Sequence, residues 1–261
     1  MRLAADHLTL DYGGTEVVHD VSLSIESGEF VAIVGPNGSG KSTFLRGLAR
    51  LHRPHSGRVL LGETDIRSIG SRAVARVLAL LPQAPSGALD LTVRELVWRG
   101  RSPHQGVILQ RARQEDAEAV EWALASARLE ALADRTLGSL SGGERQRAWI
   151  ALALAQQPRV LLLDEPTSYL DIEHQLEVMY LLSRLHAGGL TIVTVLHDLL
   201  LAARFARRVV AMRGGHVILD GPPEHVLQPD ALEEVFRVPM IALRDPDTGT
   251  PIPIPRHISA T

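Results

Sequence analysis

Gly35-Pro36-Asn37-Gly38-Ser39-Gly40-Lys41-Ser42-Thr43 follows the pattern G-x-x-x-x-G-K-[ST]. Ahead of it, Phe30-Val31-Ala32-Ile33-Val34 is a continuous apolar run of the length of a buried strand. Behind it, Phe44, Leu45, Leu48 and Leu51 recur at helical spacing. A phosphate chain needs close approach of the backbone, so side chains must be absent where the loop wraps it, and Gly38 and Gly40 meet that demand. The loop N–H groups and the start of the following helix offer donors and a partial positive charge to an anion. Lys41 is expected to reach the terminal phosphates as a point charge, and the Ser42 hydroxyl to ligate Mg²⁺. The stretch predicts a nucleoside triphosphate on an α/β core.

The rest of the composition narrows the class. At 261 residues the chain can bury a sizeable core, and 45% apolar with 22% charged residues is ordinary globular usage. A formal charge of −3 argues against a nucleic-acid binder that works by phosphate neutralisation. The absence of cysteine removes disulfides and thiolate metal sites and suits a reducing cytoplasm. Met1 to His7 lacks the apolar segment of a secretory signal, and the run Leu190 to Ala206 is interrupted by His197 and Asp198 and is too short for a span. The expectation is a soluble or peripheral protein.

Taken from the start, Leu3 to Asp11 and Thr15 to Ile25 read as strands around a Gly13-Gly14 hairpin, with Val21, Leu23 and Ile25 on one face. Tyr12, at the hairpin, reads on position alone as a strand-end aromatic. Arg58 to Gly62 is a short strand, and Arg76 to Leu81 a buried parallel strand that stops at Pro82-Gln83. Pro85, Ser86 and Gly87 mark a flexible joint. Thr92 caps a helix that starts at Val93, and Gln114 to Leu132 is helical with Ala117, Val120, Leu124 and Ala127 along one face. The reading is a helical insertion over residues 84–137.

Leu140-Ser141-Gly142-Gly143-Glu144 opens the next helix, which Pro158 ends. Ser141 is its N-cap, and Gly142-Gly143 leave the backbone N–H groups unobstructed, so this is a second helix N-terminus suited to an anion. Val160-Leu161-Leu162-Leu163 is a buried strand that ends in Asp164-Glu165, where ligands bind in parallel sheets. Asp164 is a candidate to hold Mg²⁺, and Glu165 to orient and deprotonate an attacking water. Asp171 caps a helix with Ile172, Leu176, Met179, Leu182 and Leu185 facing the core. Thr191 to Leu196 is another buried strand, and His197 at its end is read as a γ-phosphate contact. Arg208 to Met212 and His216 to Leu219 form a hairpin through Gly214-Gly215, and Pro229 to Val238 is helical. Asp245 to Gly249 is a turn, after which a proline-rich tail wraps the surface.

Together these landmarks resemble the ATP-binding cassette (ABC) ATPase family along nearly the whole chain. Gln83 matches its Q-loop, Leu140 to Glu144 its signature motif and Val160 to Glu165 its Walker B strand. Ser168-Tyr169-Leu170-Asp171 matches the D-loop and His197 the switch histidine. Two residues depart from the usual pattern: Glu144 stands where Gln is commoner, and Tyr169 where a small residue is frequent. Both lie beside the phosphate donors. The closest subfamily likeness is to ATPase subunits of ferric-siderophore importers, whose relatives take up haem and cobalamin. Glu95 to His104, Arg145 to Ala151, Tyr169 to Gln175 and Asp245 to Pro251 carry it.

The resemblance implies a P-loop NTPase with a RecA-like core, an N-terminal antiparallel β subdomain and an inserted α-helical subdomain. The core with its β subdomain spans residues 1–83 and 138–240, the helical subdomain 84–137 and a C-terminal extension 241–261. Tyr12 becomes an adenine-stacking residue, while Gly35, Pro36, Asn37, Gly38, Ser39, Gly40, Lys41, Ser42 and Thr43 hold the phosphates of ATP. Ser42, Gln83 and Asp164 attend Mg²⁺, and Glu165, His197 and Lys41 carry the hydrolysis. The partner is a second copy, head to tail, whose Ser141, Gly142 and Gly143 cover the γ-phosphate. Beyond it stand integral-membrane permease subunits and, indirectly, a substrate-binding protein, but no nucleic acid. The place implied is the cytoplasmic face of the inner membrane.

Rival readings are a soluble ABC ATPase of iron–sulfur assembly and a DNA-repair or chromosome-organising ATPase. The latter needs a long coiled-coil insertion, and the interval from Thr43 to Leu140 has room only for a compact helical piece. A translation-factor ABC protein would need two cassettes. A GTPase would need a guanine-reading Asn-Lys-x-Asp segment, which the chain lacks.

Overall fold

Tyr12 pairs with Thr15 across a turn in which Gly13 and Gly14 both have positive φ, 60° and 89°, the backbone that a two-residue hairpin needs. The computed structural model describes residues 1–83, 87, 89–104, 114–246 and 249–256. In chain order it contains β1 (Leu3–Tyr12), β2 (Thr15–Ile25), β3 (Phe30–Val34), α1 (Lys41–Leu48), β4 (Ser56–Leu61), β5 (Thr64–Asp65), α2 (Ser71–Ala75) and β6 (Leu78–Leu81). Then come α3 (Val93–Arg99), α4 (Gln114–Ser126), α5 (Gly142–Ala155), β7 (Val160–Asp164), α6 (Ile172–Ala187) and β8 (Thr191–Val195). The last elements are α7 (Leu199–Phe205), β9 (Arg208–Arg213), β10 (His216–Gly221), α8 (Pro223–Val226), α9 (Pro229–Phe236), β11 (Met240–Arg244) and β12 (Pro251–Pro255). The chain forms two compact units, Met1–Ile66 with the chain from Val193 onward, and Arg67–Ile192. The buried strand β8 carries it from the second unit back into the first.

In the first unit, β2, β1, β4 and β5 form an antiparallel sheet in that order. The alternation in β2 buries Val21, Leu23 and Ile25 and exposes Ser22, as its pattern dictates. The all-apolar β3 is buried at every residue and lies parallel to β9, which returns as β10 through Gly214-Gly215. Helix α1 ends earlier than its spacing suggests. Arg50 takes a left-handed φ of 61°, and Leu51, expected on the buried face, is 70% exposed. The helix α7, hidden in the apolar run after β8, is capped by Asp198, whose Oδ1 accepts from Leu200 N at 2.7 Å.

The proline-rich tail forms a strand rather than a surface wrap. β12 pairs antiparallel with β11, Ile254 opposite Ile241 and Ile252 opposite Leu243. Pro251, Pro253 and Pro255 occupy alternate positions, where a missing N–H costs an antiparallel pair least. Asp247 and Thr248 of the predicted turn lie outside the described residues, as do Pro85 and Ser86 of the predicted joint.

In the second unit, β6 lies parallel to β7, Leu78 opposite Val160 and Leu81 opposite Leu163. β6 begins at Leu78 because Arg76 still caps α2. Thr92 and Glu95 form a capping box on α3. Helix α4 stops at Ser126, short of the predicted Leu132, and Arg128 has a left-handed φ of 57°. Its buried face carries Asp116, Ala119, Val120, Ala123 and Leu124, with Ala117 only half-buried. Asp116 can be buried because Arg101, 3% exposed, pairs with it and also donates to Ala155 O at 2.6 Å and Gln157 Oε1 at 3.0 Å. Asp171 caps α6 as expected, but the first turn is outside the core: Ile172 is 77% exposed, and Val178, Met179, Leu181 and Leu182 are buried. Among the described residues no helix is long and apolar enough to cross a membrane.

Candidate functional site

The glycine loop belongs to the first unit, and its three glycines are required for different reasons. A Cβ on Gly35 would come within 2.0 Å of Met212 O, so the loop's exit from β3 packs directly on the β9 backbone. A Cβ on Gly40 would lie 2.8 Å from Val17 O, and Gly40 is itself the left-handed N-cap of α1, with φ 92°. Gly38, with φ 76°, faces open space, so only there does the glycine keep the loop surface clear of a side chain. The first turn of α1 carries no acidic side chain, so its positive end is left for an anion.

Lys41 is 5% exposed, and its Nζ donates to Gly35 O and Pro36 O, each at 2.9 Å. Its ammonium is thus held on carbonyls of its own loop in a buried place. Ser39 is buried, and its Oγ has no protein partner among the described residues. The Ser39 carbonyl accepts from Gly215 N at 3.1 Å. Pro36 and Ser42 are half-buried, Thr43 is buried, and Asn37 is exposed. Two further predicted residues lie in this unit. Tyr12 is half-exposed, its ring 4.5 Å from that of His52 and tilted by 56°. His197 follows β8 and is exposed.

Gln83, Asp164, Glu165 and the signature residues belong to the second unit. Asp164 ends β7 and is 1% exposed. Glu165 is buried with a left-handed φ of 53°, a strained backbone for a glutamate. Its Oε2 accepts from Gln83 Nε2 at 2.5 Å and from Ser168 Oγ at 2.9 Å. The structure thus joins Gln83 to Glu165 and adds Ser168, which the sequence reading placed in a motif without a contact. Tyr169, also left-handed at φ 64°, is 94% exposed.

Ser141 caps α5 in a complete capping box. Glu144 N donates to Ser141 Oγ at 3.2 Å, and Ser141 N donates to Glu144 Oε2 at 2.8 Å. That backbone N–H, before any other cause, holds the Glu144 carboxyl below the usual range. Gly142 is exposed. Gly143 is buried, and a Cβ there would come within 2.0 Å of the His174 ring. The glycine pair therefore has a packing reason in addition to leaving N–H groups clear. His174 is held by Asp171, whose Oδ1 accepts from His174 N at 2.9 Å. The His174 ring carried no signal of its own because its contact with Gly143 joins α5 to α6, and the Ser168 contact because it depends on the left-handed turn at Glu165.

Three oxygen donors named for a cation are present in chemically suitable form. They are the Ser42 hydroxyl, the Asp164 carboxylate and the Gln83 amide oxygen, left over by the Nε2 bond to Glu165. Among the described residues no three His, Cys, Asp or Glu side chains gather to hold a metal by themselves. Hard oxygen donors of this kind are chemically fit for Mg²⁺, which completes its shell with phosphates and water.

Residues 18–168 match the family model described as ABC transporter. The chain is 46% identical to the ATP-binding protein assigned to a siderophore transport system in Bacillus subtilis (strain 168), covering 97% of this chain and 92% of that one. It is 44% identical to the ferric enterobactin transport ATP-binding protein of Escherichia coli (strain K12), covering 97% and 94%. Among solved structures, the dimeric structure of a bacterial ABC transporter cassette superposes with a TM-score of 0.73 at 30% identity, covering 84% of this chain and 98% of that one.

Proposed function

Since this chain belongs to the ABC transporter family, whose ATP-binding subunits couple hydrolysis to transport, we propose that it energises uptake of a ferric siderophore or related iron complex through separate permease subunits. The observation that carries the cargo is the likeness to siderophore and ferric enterobactin transport proteins along 97% of the chain. The chemistry rests on the buried Lys41 ammonium seated in a glycine loop at an uncompensated helix N-terminus. Its place is the cytoplasmic face of the membrane, bound there through the permease, with a substrate-binding protein serving the other side.

In this reading Gly35 to Thr43 hold the triphosphate, and the Tyr12 ring, backed by His52, stacks on adenine. Lys41 exchanges its loop carbonyls for β- and γ-phosphate oxygens. Ser42, Gln83 and Asp164 would hold Mg²⁺, which would neutralise charge on the phosphates. Glu165 takes a proton from the water that attacks the γ-phosphorus, as the bond from that phosphorus to the ADP oxygen breaks. Such a base contributes about 10²–10⁴-fold, or roughly 3–5 kcal/mol of barrier. His197 donates to the γ-phosphate. Two copies associate head to tail, so that Ser141, Gly142 and Gly143 of one cover the γ-phosphate held by the other. The dimeric relative supports that assembly. ATP then acts as an adhesive and hydrolysis as the release. The helical segment after Gln83 passes closure on to the permease.

Uptake of an iron-55-loaded siderophore by cells lacking the gene is the test. Uptake is expected to be lost, and restored by the wild type but not by Glu165→Gln. Undiminished uptake without the gene would overturn the cargo. Co-purification from detergent-extracted membranes with soluble assembly proteins, and no permease, would favour the iron–sulfur reading.

A further inference from the structure

Glu144 is the one residue of the Leu140–Glu144 stretch whose charge opposes an anionic ligand. Its place in the capping box has two consequences. The first concerns donors. The box uses up the N–H groups of Ser141 and Glu144. Because Ser141 Oγ accepts the Glu144 N–H, the hydroxyl proton must point elsewhere and is available to donate. What the turn can offer a phosphate is then the Ser141 hydroxyl with the N–H groups of Gly142 and Gly143. The carboxylate selects that set.

The second consequence concerns charge. The carboxylate sits within the first turn of α5, beside those donors, and its hydrogen bond from Ser141 N keeps it ionised at neutral pH. The charges of Arg147 and Arg135 also hold it low, yet the hydrogen bonds of Arg145 and Arg147 go to other groups. Arg145 donates to Leu137 O at 3.2 Å and Leu140 O at 3.1 Å, and Arg147 is engaged by Glu177. A negative charge, partly offset by Arg147 and Arg135, therefore sits in the same turn as any phosphate that the turn receives.

We propose that Glu144 is a positioning residue that aims the Ser141 hydroxyl and, through its charge, raises the ATP concentration at which two copies close. It makes the closed dimer easier to reopen than the same geometry with a neutral amide would. This rests on the reading that Ser141, Gly142 and Gly143 cover the γ-phosphate bound by the other copy.

The experiment follows ATP-driven dimerisation by light scattering in a Glu165→Gln background, at low and high salt. Glu144→Gln keeps an acceptor for Ser141 N and removes only the charge. It should lower the ATP concentration for half-dimerisation by roughly three- to tenfold at low salt, with the difference shrinking at 1 M salt. Glu144→Ala loses the box and should raise that concentration instead. If Glu144→Gln leaves the midpoint unchanged at low salt, or shifts it equally at both salts, Glu144 is a plain helix cap and the inference fails. If the Glu165→Gln protein does not dimerise at all with Mg-ATP, the underlying reading fails with it.

Discussion

Gln83 and Glu165, 82 positions apart in sequence, are joined side chain to side chain, Nε2 donating to Oε2 at 2.5 Å. Ser168 Oγ donates to the same oxygen from three residues downstream. The carboxylate is thus fixed by two donors that would have to share it with an incoming water. Glu165→Gln should bind ATP with near-native affinity and hydrolyse it at least about 10²-fold more slowly. Gln83→Ala should lower kcat about tenfold with little change in KM, since it leaves the carboxylate in place with one donor fewer to aim it. Single-turnover hydrolysis and nucleotide titration check both, and unchanged turnover in Glu165→Gln removes it from the role.

Gly143 and His174 make a pair that can be broken and mended. Gly143→Ala drives a methyl into the imidazole, which a Cβ would approach to 2.0 Å. The variant should lose about tenfold or more in ATPase activity while keeping its melting temperature within a few degrees. Adding His174→Gly removes the ring and the Cβ, which would itself stand 2.8 Å away, and the double variant should recover most of the loss. The coupling read from the double-mutant cycle is the measurement. If the two changes simply add, the packing explanation is wrong.

Arg101 and Asp116 form an ion pair that is almost wholly buried, with side chains 4% and 7% exposed. Asp116→Ala strands the guanidinium and should cost about 3–5 kcal/mol, a fall in melting temperature of roughly 6–15 °C. The apolar double variant R101M/D116L should lose less than Asp116→Ala alone. Thermal denaturation decides it.

Acid sensitivity should concentrate at helix starts. The carboxyls of Glu95, Glu144 and Asp171 are each held low, first of all by a backbone N–H of their own cap. A depressed folded-state value means that the contribution is present in full above the unfolded value, 4.5 for the glutamates and 3.8 for the aspartate. It is lost as pH falls through the folded one. Melting temperature should be flat with respect to these groups above about pH 5 and fall below it. The triple variant E95Q/E144Q/D171N should show a shallower fall. An equal slope in the triple variant would assign the acid loss to other groups.

The parts of the molecule that were legible in the sequence are those set by near neighbours. The buried strands β3, β7 and β8 read directly from apolar runs, and the caps Thr92, Ser141, Asp171 from their spacing to the next helix. The glycine loop was legible because its chemistry is written in consecutive residues. Periodicity failed where an element stopped early. Leu51 and Ile172 kept the helical spacing but lie past the end of α1 and in the exposed first turn of α6. Helix α7 was masked by its own apolar composition, and β12 by prolines that usually forbid a strand. In the candidate site, the motifs could be named from the sequence, but the reason for Gly35, the Ser168 contact and the His174 ring could not. Gly35 and His174 depend on partners that only tertiary folding brings near, whereas Ser168 reaches Glu165 only three residues away and depends on the left-handed turn at Glu165, which no residue type announces.

The Lys41 ammonium is anchored on two carbonyls of the loop that precedes it, so its long side chain is already held in one place by the fold. In the function proposed above, entry of a triphosphate is a swap of one set of oxygens for another around that charge. Little chain has to freeze on binding, so the association should be quick and its heat-capacity change small.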